Sequence, residues 1–482
     1  MTRQINRITL VLIFLMLALV ANLSYIQFFN SNALRNKPGN QRVLLTEYSK
    51  QRGPILIDSM PITQSIATKD ALKYLRKYQS GSVFAAVTGF YSLIYGSSGI
   101  EAATNNVLSG NDDRFFVDRL QQLVANRQPQ GGAVELTINP EAQKIAMSAL
   151  AGRTGAVVAI NPSTGEILAL ASSPSFNPNR LSSHDTQKMQ TYYNHLINNP
   201  KQPLLNRPLA MSLPPGSTFK LVTAAAALES GAYSPQSQLP GPATIGLPNS
   251  THRLGNWNRS ACSSTGKTSL DNALAISCNT AFAWLGMQLG QEALAKQAEK
   301  FGFGTSFEVP MTSAASKFPT GLDQAQTAMS AIGQFDVQAT ALQMALVGAG
   351  IGNDGVVMRP YLIKQVLGPN LKVLDKASPQ QFSRAMSVSN ARSLGTMMTH
   401  VVDRGTGSNA RIYGVSVGGK TGTAETSPGS PAHAWFVGIA PSVQAKVAVA
   451  VVLQNGGGAT EISGNGLAAP IARAIMQAII SK

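Results

Sequence analysis

Pro214-Pro215-Gly216-Ser217-Thr218-Phe219-Lys220 runs straight into the alanine-rich stretch Leu221 to Glu229, which stops at Gly231. Two prolines and a glycine make a stiff turn, and the alanines and leucines behind them favour helix, so Ser217 is expected in the first helical turn. A serine placed there keeps its own backbone N–H free. Lys220 follows at i+3, which puts its amine on the helix face that carries the Ser217 hydroxyl. The pair reads as a nucleophile with a built-in base, provided that burial or a second cation keeps part of the lysine neutral. Spacing alone does not decide the matter, because Ser264-Thr265-Gly266-Lys267 repeats it.

The chain on either side sets the fold class. Upstream, Ala133 to Ile138 alternates as a strand, Pro140 to Leu150 is helical, and Thr154 to Ile160 reads as a buried strand. Asn161-Pro162-Ser163-Thr164-Gly165-Glu166 then turns the chain back into Ile167 to Ala171. Sequential antiparallel strands followed by helices indicate an α+β domain; a doubly wound parallel sheet needs a helix between strands. Downstream, Ser277-Cys278-Asn279 follows a helix-like Leu270 to Leu274. In a loop or extended turn Ser277 and Asn279 face one way and Cys278 the other. The hydroxyl suits proton relay, and the carboxamide offers one donor and one acceptor to a substrate amide. The third polar group, Lys420-Thr421-Gly422-Thr423, sits in a predicted strand, Val415 to Ala424. There Thr421 and Thr423 share a face, Lys420 supplies positive charge, and Gly422 lets a substrate backbone approach the strand edge. The N–H groups of Ser217 and Thr423 are candidates for an oxyanion hole. Each of the two later groups has an ordinary reading as well, a helix-flanking turn and a solvent-facing strand end.

At 482 residues, 44% hydrophobic and 13% charged, the chain has room for one large and one small domain. Its net charge of +16 suits an anionic polymer or membrane surface. Zinc-finger spacing, a basic helix and aromatic RNA-binding motifs are missing from the sequence, so a nucleic-acid partner is not expected. The histidines, His184, His195, His252, His400 and His433, have no ligand spacing, and with Cys262 and Cys278 lying far from a Cys-x-x-Cys pattern, no metal or other cofactor is expected. Outside the cytoplasm those two cysteines can pair; two buried free thiols are the alternative. Gly266-Lys267-Thr268 fails as a phosphate loop, because Ala261 stands where the first glycine belongs.

Arg3 and Arg7 precede an apolar run from Ile8 to Phe29 that spans roughly 33 Å as a helix, enough for a bilayer. Positive charge ahead of it predicts a single-pass protein of the cell membrane, its N-terminus (residues 1–7) cytoplasmic and the rest outside. A cleaved leader is the alternative, but no small-x-small site follows. Residues 30–132 read as a stalk that carries no chemistry, with Gln51 to Asp58 forming a turn and short strand and Phe90, Tyr91 and Tyr95 serving as aromatic packing. A Gly/Pro/Gln linker at 128–132 separates it from the domain that begins at residue 133 and runs to 482.

Ser217-x-x-Lys220, Ser277-x-Asn279 and Lys420-Thr421-Gly422, in that order, resemble the motif set of the penicillin-interacting serine transpeptidases, which include the β-lactamases. Pro214-Pro215-Gly216, Gly405-Thr406-Gly407 and Ala434-Trp435-Phe436-Val437-Gly438 strengthen the likeness over 133–482. Arg52-Gly53 and Gly99-Ile100-Glu101 resemble stalk motifs of class B penicillin-binding proteins, though Ser59-Met60 departs from the Arg-Asn-Gly common after Asp58. Tyr95 to Glu101 and the cysteine within the Ser277 motif are similar to the actinobacterial penicillin-binding protein A group.

The resemblance implies an antiparallel sheet covered by helices on both sides, and a mechanism. Lys220, kept neutral by desolvation and by Lys420, takes the Ser217 proton. Ser217 attacks the penultimate D-alanine of a peptidoglycan stem peptide, and Ser277 passes a proton to the departing D-alanine. The carboxylate of that residue sits on Lys420, Thr421 and Thr423, with Asn279 and Gly422 binding the rest. An amine of a neighbouring stem then resolves the acyl-enzyme into a cross-link, and β-lactams acylate the same serine. A membrane-embedded glycan polymerase is the partner implied, with a role in division or shape. Residues 30–132 are too few for a glycan-polymerising domain of the chain's own. A β-lactam-hydrolysing or β-lactam-sensing relative and a catalytically weak division scaffold are the competing readings. If Cys262 and Cys278 pair, they tether the Ser277 loop.

Overall fold

The computed structural model describes residues 2–29, 48–116, 130–251, 253–425, 429–459 and 462–481. The polar stretch 30–47, the first two residues of the linker read at 128–132, and His252 lie outside the described residues. Helix α1, Thr2–Ser24, continues as a wider turn to Phe29. Its apolar window has a mean hydropathy of 2.3 and none of it is buried, so by length and composition it can cross a membrane.

In chain order the remaining elements that position the site are β1 (Ile55–Ile57), β2 (Ala133–Leu136), α2 (Pro140–Ala149), β3 (Gly155–Ile160), β4 (Ile167–Ser173), α3 (Lys220–Glu229), α4 (Asn279–Lys300), α5 (Ala341–Gly352), β5 (Ile363–Leu367), α6 (Val388–Asp403), β6 (Gly418–Ala424), β7 (His433–Ala440), β8 (Val447–Leu453) and α7 (Ala469–Ile480). Helix α2 starts at the proline because Asn139 Oδ1 accepts from the N–H groups of Glu141 and Ala142, at 3.1 and 3.0 Å.

The main sheet has the order β6-β7-β8-β3-β4 and is antiparallel throughout. Its central strands are apolar at nearly every position because both faces are covered. Val157, Phe436 and Val449 pack with Ala146 of α2 and Ile475 of α7. The alternate residues Val158, Val437 and Ala450 face Leu346 of α5. This is the α+β arrangement that the hairpin at 155–173 foretells.

A second sheet is mixed. Its order is Val373–Lys376, β5, β2, β1, Met60–Pro61, with β1 and β2 parallel and the other pairs antiparallel. A parallel pair needs a long crossover, and the residues between 57 and 133 provide it. Strand β2 therefore joins the N-terminal region on one side to β5 on the other, so the two regions read as separate in the sequence share a sheet.

The N-terminal region is organised around Glu101, which is fully buried. Arg52 Nε donates to Glu101 Oε2 at 2.7 Å, Arg76 Nε to Oε1 at 2.6 Å, and Tyr78 Oη to Oε1 at 3.2 Å. Arg52 also donates to Glu101 O and to Asn105 Oδ1, both at 2.7 Å. Burial works to raise the Glu101 carboxyl, but Arg76 and Arg52 together outweigh it and hold the group below its usual range. The aromatic residues read as packing do pack: Phe90 against Phe176, Tyr91 on Tyr48, and Tyr95 on Tyr193.

Candidate active site

Ser217 lies in a tight 3-10 turn, Gly216–Phe219, that leads into α3. The first turn is narrower than the regular helix expected, because Gly216 takes φ 52° and its N–H donates to Gly333 O at 2.9 Å. A side chain at Gly333 would meet Gly216 O at 2.1 Å, so the turn is seated on bare backbone. From Lys220 to Leu228 every residue of α3 is buried, and its small side chains let it sit in the core beside α4 and α6. Lys220 is thereby carried inside the protein.

Lys220 Nζ donates to Ser277 O and to Asn279 Oδ1, both at 2.8 Å, and lies 3.3 Å from Ser277 Oγ. Lys420 Nζ reaches the same hydroxyl from the opposite side, donating to Ser277 Oγ at 2.9 Å and to Thr421 O at 3.0 Å. Both lysines are fully buried, and neither is paired with a carboxylate among the described residues. Burial, and then the positive charge of Lys420, hold the Lys220 amine well below the usual lysine range. Burial pushes Lys420 down to about 7.

The Ser277 segment is a short turn between two helices, tighter than the extended one read. Ser277 has φ 60°, and Asn279 is already the first residue of α4. The left-handed residue swings the chain so that both side chains still meet Lys220. Asn279 is held by a residue that no motif flags. Asn256 Oδ1 accepts from the N–H groups of Asn279 and Thr280, at 2.9 and 3.1 Å, and Asn279 Nδ2 donates to Gly255 O at 3.1 Å. Asn256 Nδ2 is itself tied to Pro242 O and Ser260 O. Cys262 and Cys278 form a disulfide with their Cα atoms 6.0 Å apart, which attaches the residue ahead of α4 to the neighbouring loop.

On β6 the sequence begins its strand at Gly418, later than read, and Lys420 points inward while Thr421 and Thr423 share the other face. The reading of Gly422 changes in one respect: a side chain there would meet Pro215 O at 2.8 Å, so the glycine lets the Ser217 turn press against the strand. Ser217, Ser277, Asn279, Thr421, Gly422 and Thr423 line one cleft of about 1050 Å³. The hydroxyl of Ser217 has no hydrogen-bond partner among the described residues and faces that cleft. By contrast Ser264 and Lys267, the second pair at the same spacing, are exposed and do not line it. Thr406 also lines it; its sequence signal was only the Gly-Thr-Gly flank.

A cleft with an unengaged serine three residues ahead of a buried lysine whose amine is held well below its usual range, a second buried lysine and two hydroxyls on a sheet edge is the site of a serine acyl-transferring enzyme. The description "Penicillin binding protein transpeptidase domain" matches residues 155–477, and "Penicillin binding protein A dimerisation domain" matches residues 52–134. The chain belongs to the penicillin-binding protein family, as a serine-type D,D-transpeptidase of class B related to the actinobacterial penicillin-binding protein A group. It is 42% identical over 489 residues to the peptidoglycan D,D-transpeptidase PbpA of Mycolicibacterium smegmatis, covering 100% of this chain and 99% of that one. It is 41% identical to the PbpA of Mycobacterium tuberculosis over the same coverage. The ceftriaxone acyl-enzyme complex of penicillin-binding protein A from M. tuberculosis superposes with a TM-score of 0.88 at 40% identity, covering 90% of this chain and 100% of that one. The penicillin G acyl-enzyme complex of the same protein gives 0.85.

Proposed function

We propose that this chain is anchored by α1 in the cell membrane, with residues 1–7 cytoplasmic, 8–29 spanning, 30–132 forming a stalk and 133–482 catalysing peptidoglycan cross-linking outside. The observation that carries the catalytic reading is the set of partners around Lys220. A neutral amine has two hydrogens and one lone pair. Ser277 O and Asn279 Oδ1 take the two hydrogens, and the remaining lone pair, with Ser277 Oγ 3.3 Å away, receives the Ser217 proton once substrate brings that hydroxyl against the carbonyl of the penultimate D-alanine.

The negative charge that develops on that carbonyl oxygen is held by the N–H groups of Ser217 and Thr423. Ser277, between the two lysines, hands a proton to the departing amine of the terminal D-alanine and recovers one from Lys220, whose Nζ lies 3.3 Å from its Oγ. Lys420, Thr421 and Thr423 bind its carboxylate, and Asn279 and Gly422 bind the peptide. An amine from a second stem then attacks the ester, Ser217 regains its proton, and the cross-link is released. β-Lactams enter by the same route and stay. The comparisons supporting this reading are with proteins captured as acyl-enzymes with ceftriaxone, imipenem and penicillin G. A membrane-embedded glycan polymerase is the partner proposed for the anchor and stalk, in division or shape.

The test is the intact mass of the detergent-solubilised chain after incubation with penicillin G. A persistent single adduct on wild type and none on Ser217→Ala supports the assignment. Rapid loss of the drug without an adduct makes the protein a hydrolase, and intact drug without an adduct makes the site a vestigial one.

A further inference from the structure

The loop Arg404-Gly405-Thr406-Gly407, between α6 and β6, touches both later polar groups at once. The Thr406 N–H donates to Ala275 O at 3.1 Å, two residues ahead of Ser277. Gly405 lies so close to that carbonyl that a side chain would meet it at 2.1 Å. Arg404 Nη2 donates to Asp271 Oδ2 at 2.6 Å, on the helix that leads to Ser277, and Asp271 Oδ1 is 2.7 Å from His400 Nδ1. On its other side the loop reaches β6, where Thr406 Oγ1 lies 2.7 Å from Thr421 Oγ1. The loop is a strap between the two groups, and a hydroxyl contact forms its end on β6.

Each hydroxyl has one proton and two lone pairs, and neither side chain has another hydrogen-bond partner among the described residues. One of the two protons is used within the pair and the other is free. When a carboxylate approaches Thr421, one ordering satisfies every group: Thr406 donates to Thr421, and Thr421 donates to the carboxylate. A donor whose own oxygen is accepting a hydrogen bond is polarised and binds an anion more strongly.

We infer that Thr406 is a positioning residue for carboxylate recognition: its hydroxyl donates to Thr421 and so directs the Thr421 proton at the substrate's terminal carboxylate. The inference stands on the carboxylate-binding role proposed for Thr421 above.

The test compares acylation of the detergent-solubilised full chain by benzylpenicillin and by benzylpenicillin methyl ester, which lacks the charge. In Thr406→Val, benzylpenicillin is expected to acylate roughly three- to tenfold more slowly, the scale of one hydrogen bond between neutral groups. The loss should appear in binding before acylation and not in the rate at saturation. The ester should change little, and Thr406→Ser should restore the wild-type behaviour. Equal slowing with both compounds, or failure of Thr406→Ser to restore it, would make the contact merely structural and overturn the inference. Thr421→Val separates the two levels. If Thr421→Val discriminates between the compounds and Thr406→Val does not, the inference on Thr406 falls and the role of Thr421 survives; if neither discriminates, both fall.

Discussion

Two pairs of cations are buried in this molecule, and they have opposite surroundings. Arg52 and Arg76 converge on Glu101, which accepts from both. Lys220 and Lys420 converge on the hydroxyl of Ser277, with no acid paired to them among the described residues. In the first cluster the carboxyl is driven below its usual range; in the second both amines are driven down, Lys420 to about 7. A guanidinium cannot shed its proton, so a buried arginine pair must bring its own counter-charge. An amine can, so a buried lysine pair without an acid becomes a store of neutral base. The difference between scaffold and chemistry here is one carboxylate.

That contrast can be broken by substitution. Replacing Lys220 by Met should lower the rate of acylation by penicillin by about 10² to 10⁴, the usual worth of a general base. Thermal unfolding should leave this variant as stable as wild type or more so, because an amine that burial penalises is replaced by an apolar side chain of similar length; a joint loss of stability would show that the amine holds the fold. Glu101→Ala should do the reverse. It strands two buried guanidiniums, so urea unfolding should report a loss of about 3–5 kcal/mol, while the folded fraction acylates at close to the wild-type rate.

Stability against pH sharpens the comparison further. The Lys420 amine in the folded chain titrates at about 7, below the 10.5 of an ordinary lysine. Between those values the unfolded chain binds a proton that the folded chain does not, so stability should rise from about pH 7 to pH 10.5, and the difference from Lys420→Met should shrink over the same interval. Glu101 works the other way. Its folded value lies below 4.5, so its contribution is complete above that pH and is lost as the pH falls beneath it. The smallest effect is expected at Asn256→Ala, which leaves two N–H groups at the start of α4 without their acceptor: about 1–2 kcal/mol by urea unfolding, with a modest slowing of acylation.

The residues gathered at the cleft were legible in the sequence wherever particular types fall at short spacing. Ser217 and Lys220, or Ser277 and Asn279, are each fixed by a local turn, and the alternating faces of a strand fix Thr421 and Thr423. What stayed hidden acts through space. Asn256 orients Asn279 across 23 positions of chain, Thr406 reaches Thr421 from another loop, and Gly333, beyond α4 in the chain, seats the Ser217 turn. Gly422 was visible, but its neighbour was not: only the folded chain shows Pro215 against it. Likewise the hairpin at 155–173 announces the antiparallel sheet, whereas nothing in the short run Ile55–Ile57 names β2 as its parallel partner. Arg52 and Glu101 were recognisable only as a likeness, because an ion pair between distant residues leaves no periodicity.

The mixed sheet also dictates an order of events during biogenesis. Strand β1 is made early and must wait for β2 to lie beside it, and β2 in turn waits for residues 363–367 to close its open edge. A chain made from its N-terminus therefore holds an unfinished sheet edge at β2 until residues 363–367 have followed. Pairings so far apart in sequence form slowly and leave strands exposed meanwhile. Folding helpers would have their longest opportunity at that edge, and a ribosome stalled before residue 363 would deliver a β1–β2 pair whose sheet cannot be completed.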